Sequence, residues 1–223
     1  MSLVSEIKSL VEKEIRMEWR QKYAFNGVLL YVISSVYVCY MSFKFREGQM
    51  NVVTWNTLFW IIMLFASMNA VAKSFMLESK GRLLYLYSLV SPEAIFLSKL
   101  IYNTILLSIL SGLALAFYTL VFDNPVHDFT LFAFNVGLGA IGFSSTLTLI
   151  SAVASKASNG ATLMAILGFP LIIPMLLMLI KISKNAMDGL ALASSYDEII
   201  ILGAINLIIV TLSYLLFPYL WRS

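Results

Sequence analysis

The chain has 223 residues, of which 60% are hydrophobic and only 12% are charged. Soluble domains carry about a quarter charged residues, so the composition excludes that class and indicates an integral membrane protein. A single cysteine excludes a disulfide framework, and a net charge of +3 gives no indication of nucleic-acid binding.

Residues 1–22 are predicted to form an amphipathic helix instead of a cleavable signal peptide, because charged residues occur throughout them. At about 100° per residue, an apolar arc lies opposite a charged face that includes Arg16 and Arg20, and such a helix lies at the membrane interface. The apolar arc consists of Leu3, Val4, Ile7, Leu10, Val11, Ile15 and Met17. Glu14 and Glu18 project from this arc. Either they snorkel or pair with basic neighbours such as Lys22 and Arg16, or they meet basic groups of a partner or of the next cytoplasmic loop.

Six windows are long and apolar enough to cross a bilayer, which takes about 20 residues of helix. None of them contains Asp, Glu, Lys, Arg or His. They cover approximately residues 24–43, 55–72, 100–122, 129–154, 161–180 and 199–217. Because an open sheet cannot satisfy its backbone groups in lipid, the predicted fold is all-α and polytopic. It has six transmembrane helices after an N-terminal amphipathic interfacial helix, in a single transmembrane domain.

The distribution of Lys and Arg predicts the orientation. With the N-terminus inside, eleven of these residues fall on the cytoplasmic side. The outer side then holds only Lys44, Arg46, Lys181 and Lys184. The positive-inside rule therefore places both termini in the cytoplasm.

The segment between the second and third spans includes the stretch LESKGRLLYLYSLVSPEAIFLSK. Its first part mixes apolar and charged residues and predicts a short interfacial helix. A new helix is expected at Pro92, because Ser91 can cap free amides and proline suits the first helical position. Lys99 is expected at the lipid boundary of the third span. Residues 75–98 are therefore predicted to form a structured cytoplasmic coupling segment.

The source of energy decides how this segment is interpreted. A pump or ion-coupled carrier is expected to place ionisable groups at membrane depth, and the six windows contain none. The chain also lacks the G-x-x-x-x-G-K-[ST] motif that binds nucleotide phosphates. We therefore expect a separate ATPase to press on the segment, although an inert linker resting on lipid headgroups is the alternative.

Two prolines interrupt the fifth span. Pro170 and Pro174 lack amide hydrogens and clash with the carbonyls one turn earlier, those of Ile166 and Pro170. Freed carbonyls in lipid need a polar neighbour or water, so this face is expected to turn inward, and Gly168 makes bending easier. The prolines form either a static kink or a hinge that lines a substrate route.

Small residues within the spans predict close helix packing. The stretch GLGAIG at residues 137–142 matches a dinucleotide-binding pattern only formally, because it lies inside a span with no preceding strand. Two stripes at four-residue spacing are predicted to face other helices, namely Ala140, Ser144, Thr148 and Ala152 in the fourth span and Ser108, Gly112 and Ala116 in the third.

His127, the single histidine, lies in a short outer loop. We expect this histidine to face solvent instead of binding heme, because no second ligand or C-x-x-C-H motif accompanies it. The sequence also lacks a metalloprotease motif and any group at membrane depth that could activate a serine. The chain is therefore predicted to be non-catalytic, with no bound cofactor or metal.

Four stretches carry a resemblance to a known family. They are LVEKEIRMEWR at residues 10–20, the segment at 78–99, GFPLIIPMLL at 168–177 and the ending LSYLLFPYLWR. In this order and spacing, they resemble the heme exporter protein B family (CcmB), the membrane subunit of an ATP-binding-cassette complex in cytochrome c maturation.

The resemblance implies a permease-like subunit in the bacterial cytoplasmic membrane, with an ATPase and other cytochrome c maturation membrane subunits as partners and heme as a candidate substrate. It also implies an ATPase-docking surface. The family's marked positions fall on Glu78, Gly81, Leu84, Ser91, Pro92 and Lys99. Family members are more acidic around the glycine, whereas Lys80 and Arg82 flank Gly81 here, which alters the charge offered to the ATPase.

Several alternatives remain open at this level. The subunit either carries heme across the bilayer or transmits motion that releases heme from a chaperone outside. An ABC-2-type exporter permease for a lipid, glycan or drug would share the topology, and so would a non-transporting assembly subunit. Six spans are few for a two-sided pathway, so a second copy or another membrane subunit is expected.

Overall fold

The computed structural model describes residues 3–21, 23–44, 50–71, 73–76, 89–157 and 159–222. All regular secondary structure within these ranges is helical, as predicted. The elements are α1 (Leu3–Gln21), α2 (Tyr23–Lys44), α3 (Val52–Val71), α4 (Lys73–Met76), α5 (Pro92–Val121), α6 (Phe129–Ala154), α7 (Gly160–Met187), a 3-10 turn (Leu192–Ser195) and α8 (Tyr196–Arg222).

Six of the described helices, α2, α3 and α5 to α8, are long and apolar enough to cross a membrane. This confirms the predicted all-α polytopic fold. Helix α5 has 30 residues and begins eight residues before the third apolar window. Its first two turns therefore extend beyond the window, where they pack against α1 and where Lys99 donates to Ser74 of α4.

Helix α6 lies at the centre of the bundle and packs against α3, α4, α5, α7 and α8. Its small residues explain why, since a side chain on Gly139 would meet the Trp60 ring of α3 at 2.8 Å. The small stripe from Ala140 to Ala152 is buried, as predicted. The stripe predicted on α5 is exposed, and Gly112 has no neighbour within 4 Å of an added Cβ. That packing prediction was wrong, because α5 turns larger residues such as Leu107 inward.

Aromatic side chains fill the space between α3, α5 and α6 at the bundle end opposite α1. The Trp55 ring lies 4.8 Å from Tyr118 and 5.7 Å from Phe132, measured between centroids. The Tyr118 hydroxyl donates to the carbonyl of Trp55 at 3.0 Å. Edge-to-face aromatic pairs each add about 1 kcal/mol beyond the area they bury, so this cluster holds the three helices in a fixed arrangement.

Buried polar side chains tie α3 and α6 to α7. Asn56 donates to the carbonyl of Ile180 at 3.0 Å, and Asn135 donates to the carbonyl of Leu179 at 2.8 Å. The Ser183 hydroxyl accepts from both Asn135 and the Trp60 indole at 2.8 Å. Such interhelical hydrogen bonds hold helices together where lipid offers no competing partner.

The two prolines of α7 face away from the bundle. Pro170 and Pro174 are exposed, whereas Gly168 is buried and an added Cβ there would lie 3.7 Å from Ile150 of α6. The predicted inward orientation of the prolines was wrong. The buried face of α7 recurs every three or four positions and includes Met164, Gly168, Ile172, Met175, Leu179 and Ile182. Pro170 and Pro174 fall between these positions and therefore lie on another face of the helix.

Candidate coupling site at the α1 end of the bundle

Helix α1 packs along the first half of α5. Three polar contacts join the two helices at nearly constant sequence separation, so the helices run in the same direction. They join Glu6 with Ser91, Glu14 with Lys99, and Glu18 with Tyr102. The separation is 85 residues at the first contact and 84 at the last.

The contacts explain why two carboxylates interrupt the apolar arc of α1. The side of the arc that includes Leu10, Glu14 and Glu18 turns toward the body of the protein, and Leu10 is buried. Val4 and Ile15 lie on the other side of the arc and stay exposed. Two interpretations were predicted for Glu14, pairing with a basic neighbour on α1 or contact with a basic group beyond α1, and the structure supports both in part. It pairs with its neighbour Lys13 at 3.0 Å and with Lys99 of α5 at 3.6 Å.

Lys99 is the most enclosed charged side chain of this junction, with only 4% of its surface exposed. Its ammonium donates to the carbonyl of Ser74 at 2.6 Å and lies 5.0 Å from the centre of the Phe75 ring. A buried ammonium needs such partners, because desolvation strongly disfavours the charge. The ammonium is therefore directed into the junction between the helices.

Burial acts against ionisation of the Glu14 carboxyl, but the ammonium groups of Lys99 and Lys13 outweigh it. Together they hold the Glu14 pKa below its usual value. Glu14 is therefore ionised at neutral pH, and the Glu14–Lys99 contact is a charged pair.

Ser91 begins α5 in a different way from the one predicted. Its extended backbone (φ −66°, ψ 143°) and Pro92 at the helix start fit an N-cap, but its side chain makes no capping hydrogen bond. The Ser91 hydroxyl donates instead to the Glu6 carboxylate at 2.9 Å, and its amide donates to the same oxygen at 3.2 Å. A charged acceptor makes the stronger hydrogen bond, so α1 draws the serine away from the cap.

An apolar cluster completes the junction. Phe217 of α8 lies 5.6 Å from Phe75 and 5.2 Å from Phe96, between ring centres. Leu10 of α1 and Ile95 of α5 belong to the same buried cluster. The site therefore joins α1, α4, α5 and α8.

Helix α1 is consequently linked to both sides of residues 77–88, the middle of the predicted coupling segment. Through Lys99, Glu14 is linked to Ser74 before these residues, and Glu6 binds Ser91 after them. The predicted docking residues Glu78, Gly81 and Leu84 lie outside the described residues.

The remaining predicted residues of α1 lie on its exposed face. Arg16 pairs with Glu12 at 2.5 Å, and Arg20 is exposed. Exposed pairs contribute little stability, so this face is available to a lipid surface or a partner.

His127 is exposed in the loop before α6, where an added Cβ on Gly189 (φ 67°) would lie 3.4 Å from its Cβ. The part of the chain that the structure describes has no cluster of three or more His, Cys, Asp or Glu side chains that could hold a metal.

Sequence reasoning missed Glu6, Ser74 and Tyr102. The available signal was the placement of Glu14 and Glu18 inside an apolar arc, because carboxylates at such positions require polar partners. The partners themselves lie on a helix more than 80 residues away.

Comparison with protein families agrees with the resemblance read from the sequence. The family model described as CcmB protein matches residues 5–220. Among curated proteins, no relative matches the chain. The family match spans α1, all six membrane helices and the junction between them, and the chain therefore belongs to the CcmB family, which supplies a membrane subunit of the heme exporter ABC complex for cytochrome c maturation.

Proposed function

We propose that this subunit receives ATP-driven motion from a separate ATPase at the segment 77–88 and passes it into the membrane bundle through α1 and α5. In this proposal the α1 end faces the cytoplasm, as the Lys and Arg distribution predicts. The motion serves heme delivery for cytochrome c maturation.

The observation that carries the proposal is the double attachment of α1. Because α1 is linked to Ser74 before the segment and to Ser91 after it, a displacement of the segment is transmitted from both of its ends. It reaches α5 directly and α8 through the ring contacts of Phe217. The short helix α4 packs against the central helix α6, which gives a third route into the bundle.

The need for an external ATPase follows from where charges lie. Among the described residues, Lys99 lies at the α1 end of the bundle. The Lys181–Glu198 pair lies at the other end of the bundle, near the end of α7 and the start of α8. The six apolar windows between these ends contain no Asp, Glu, Lys, Arg or His, so ion coupling lacks its usual groups.

The docking surface itself is proposed to centre on Glu78, Gly81 and Leu84, continuing to Ser91 and Pro92. Lys99 has a different role from the one its family position implies. Since its ammonium is buried against Glu14, we assign it to anchoring the segment from inside.

The packed aromatic cluster favours transmission of motion over passage of heme between these helices. Trp55, Phe59, Tyr118 and Phe132 are buried in contact with one another. In this proposal heme is the substrate of the complex, and this chain acts on its release or delivery without holding it among α3, α5 and α6.

The experiment compares Lys99→Met and Glu14→Gln with the exposed control Glu12→Gln, each expressed in cells that lack the native chain. At matched membrane levels, we expect the first two to lower heme-stained c-type cytochromes while the ATPase still co-purifies, because the docking segment is intact. The control should behave as wild type, and Lys99→Arg should restore part of the activity.

Other outcomes distinguish the alternatives. Normal c-type cytochromes in cells without the chain would indicate an exporter of another substrate. Failure of the wild-type chain to co-purify with any ATPase in mild detergent would indicate a non-transporting assembly subunit. Normal levels of c-type cytochromes in Lys99→Met and Glu14→Gln would contradict only the role of the junction in transmitting motion.

A further inference from the structure

A cleft of about 480 Å³ lies between the end of α1, the start of α2 and the middle of α5. Phe25, Ile105 and Ile109 contribute to a largely apolar wall, and Glu18 and Asn26 contribute polar groups. It is separate from the Glu14–Lys99 contact, which lies closer to the start of α5.

The cleft has a polar end and an apolar end. Glu18 marks the polar end, where it accepts from the Tyr102 hydroxyl at 3.3 Å and from the Phe25 amide at 2.8 Å. Ile105 and Ile109 follow Tyr102 by three and seven residues, so the wall continues about 10 Å further along α5 at 1.5 Å per residue. The first candidate span begins at Phe25, which places the polar end where the chain enters the membrane.

Glu18 and Glu14 differ in the groups that they contact among the described residues. Glu14 contacts two lysines, whereas Glu18 accepts from two neutral donors, the Phe25 amide and the Tyr102 hydroxyl, and no ion pair to Glu18 occurs within the described part of the chain. A half-buried carboxylate beside an apolar wall is stabilised by a cation that can reach it. The neighbouring Asn26 amide supplies a hydrogen-bond donor for an anionic group.

We propose that this cleft binds a phospholipid with a primary amine in its headgroup, such as phosphatidylethanolamine. The ammonium pairs with the Glu18 carboxylate, the phosphate accepts from Asn26, and one acyl chain lies along Ile105 and Ile109. A purely anionic lipid meets repulsion from Glu18, and a soluble cation leaves the apolar wall uncovered.

The test uses the full chain purified in mild detergent from membranes and placed in nanodiscs that contain equal amounts of phosphatidylethanolamine and phosphatidylglycerol. Lipids that stay bound after delipidation are counted by native mass spectrometry. We expect the wild type to retain phosphatidylethanolamine preferentially. Glu18→Gln should reduce that preference about tenfold, as expected for the loss of one charge-assisted contact.

Two further variants separate a specific site from general lipid contact. Ile105→Trp fills the cleft and should abolish retention, whereas Ile173→Trp, on an exposed position of α7, should leave it unchanged. Equal retention of both lipids, or unchanged retention in Glu18→Gln, would overturn the proposal. So would a photo-cross-linker at Ile109 that captures a partner's membrane helix in place of lipid.

Discussion

At the scale of single residues, Glu14 and Lys99 form an asymmetric pair. Glu14 contacts Lys13 as a second cation at 3.0 Å, whereas Lys99 is only 4% exposed and contacts Glu14 at 3.6 Å. Removing one partner of a buried pair costs more when the remaining charge is the more deeply buried one. The two truncations are therefore expected to differ.

Glu14→Gln should destabilise the protein by about 3 kcal/mol, because it removes the Glu14 carboxylate from the buried Lys99 ammonium. Lys99→Met should cost about 1 kcal/mol less than that, since Met keeps the volume and Glu14 keeps Lys13. Thermal unfolding of the purified chain in detergent measures both. Glu12→Gln on the exposed face should change little; a larger effect of Lys99→Met than of Glu14→Gln would contradict this ranking.

The lowered pKa of Glu14 predicts an acid limit for the attachment of α1. A carboxyl with a depressed folded-state pKa contributes stability above its unfolded value of about 4.5 and loses it as the pH falls through the folded-state pKa. Limited proteolysis of α1 should therefore be slow at pH 6 and accelerate below about pH 4.5. The step should be absent from Glu14→Gln; an identical profile in that variant would assign the transition to another group.

At the scale of helices, close approach to α6 depends on the absence of side chains at particular positions. Gly139 and Gly137 lie two residues apart on α6, but only the first faces the Trp60 ring, and an added Cβ on Gly137 would meet nothing within 4 Å. Trp60 is held by Ser183 and cannot move away freely. The two glycines provide a matched pair.

Gly139→Ala should lower the free energy of unfolding by about 2 kcal/mol, because overpacking forces Trp60 or the backbone to shift. Gly137→Ala should stabilise α6 by as much as about 1 kcal/mol, since alanine is the better helix former. Thermal melts of the two variants, run side by side, test the assignment. Equal effects would mean that α3 does not approach α6 at this glycine.

The outward prolines of α7 call for a separate test. Because Pro170 and Pro174 are exposed, replacing both with alanine removes no buried contact and restores two helix amides. Thermal stability should be unchanged or higher. If c-type cytochromes then fall while stability holds, the prolines act as a hinge; unchanged cytochromes would leave a static kink.

At the scale of the whole molecule, the predicted orientation can be tested by labelling. In a chain with Cys39→Ser, a cysteine at Asn124, in the loop opposite α1, should react in intact cells with a reagent that cannot cross the membrane. A cysteine at Ser9, on the exposed face of α1, should react only after the membrane is opened. The reverse pattern would invert the proposed docking side.

Much of the fold was predictable because uncharged windows of about 20 residues leave one option in lipid, a spanning helix. The orientation of each helix was not. Helix α7 is apolar around most of its surface, so its sequence does not distinguish the face of Gly168 from that of Pro170. Likewise, the position of Glu14 in an apolar arc predicted a polar partner, but the identity of that partner, Lys99, depends on how α1 packs against α5.

The parallel arrangement of α1 and α5 has a consequence for biosynthesis. The three carboxylates of α1 that face α5 leave the ribosome some 85 residues before the groups that receive them, so the nascent helix waits at the membrane surface until the third span has been inserted. A chain that has lost α1 would complete all its spans and still lack the Glu14 carboxylate beside Lys99, a defect that arises only late in synthesis.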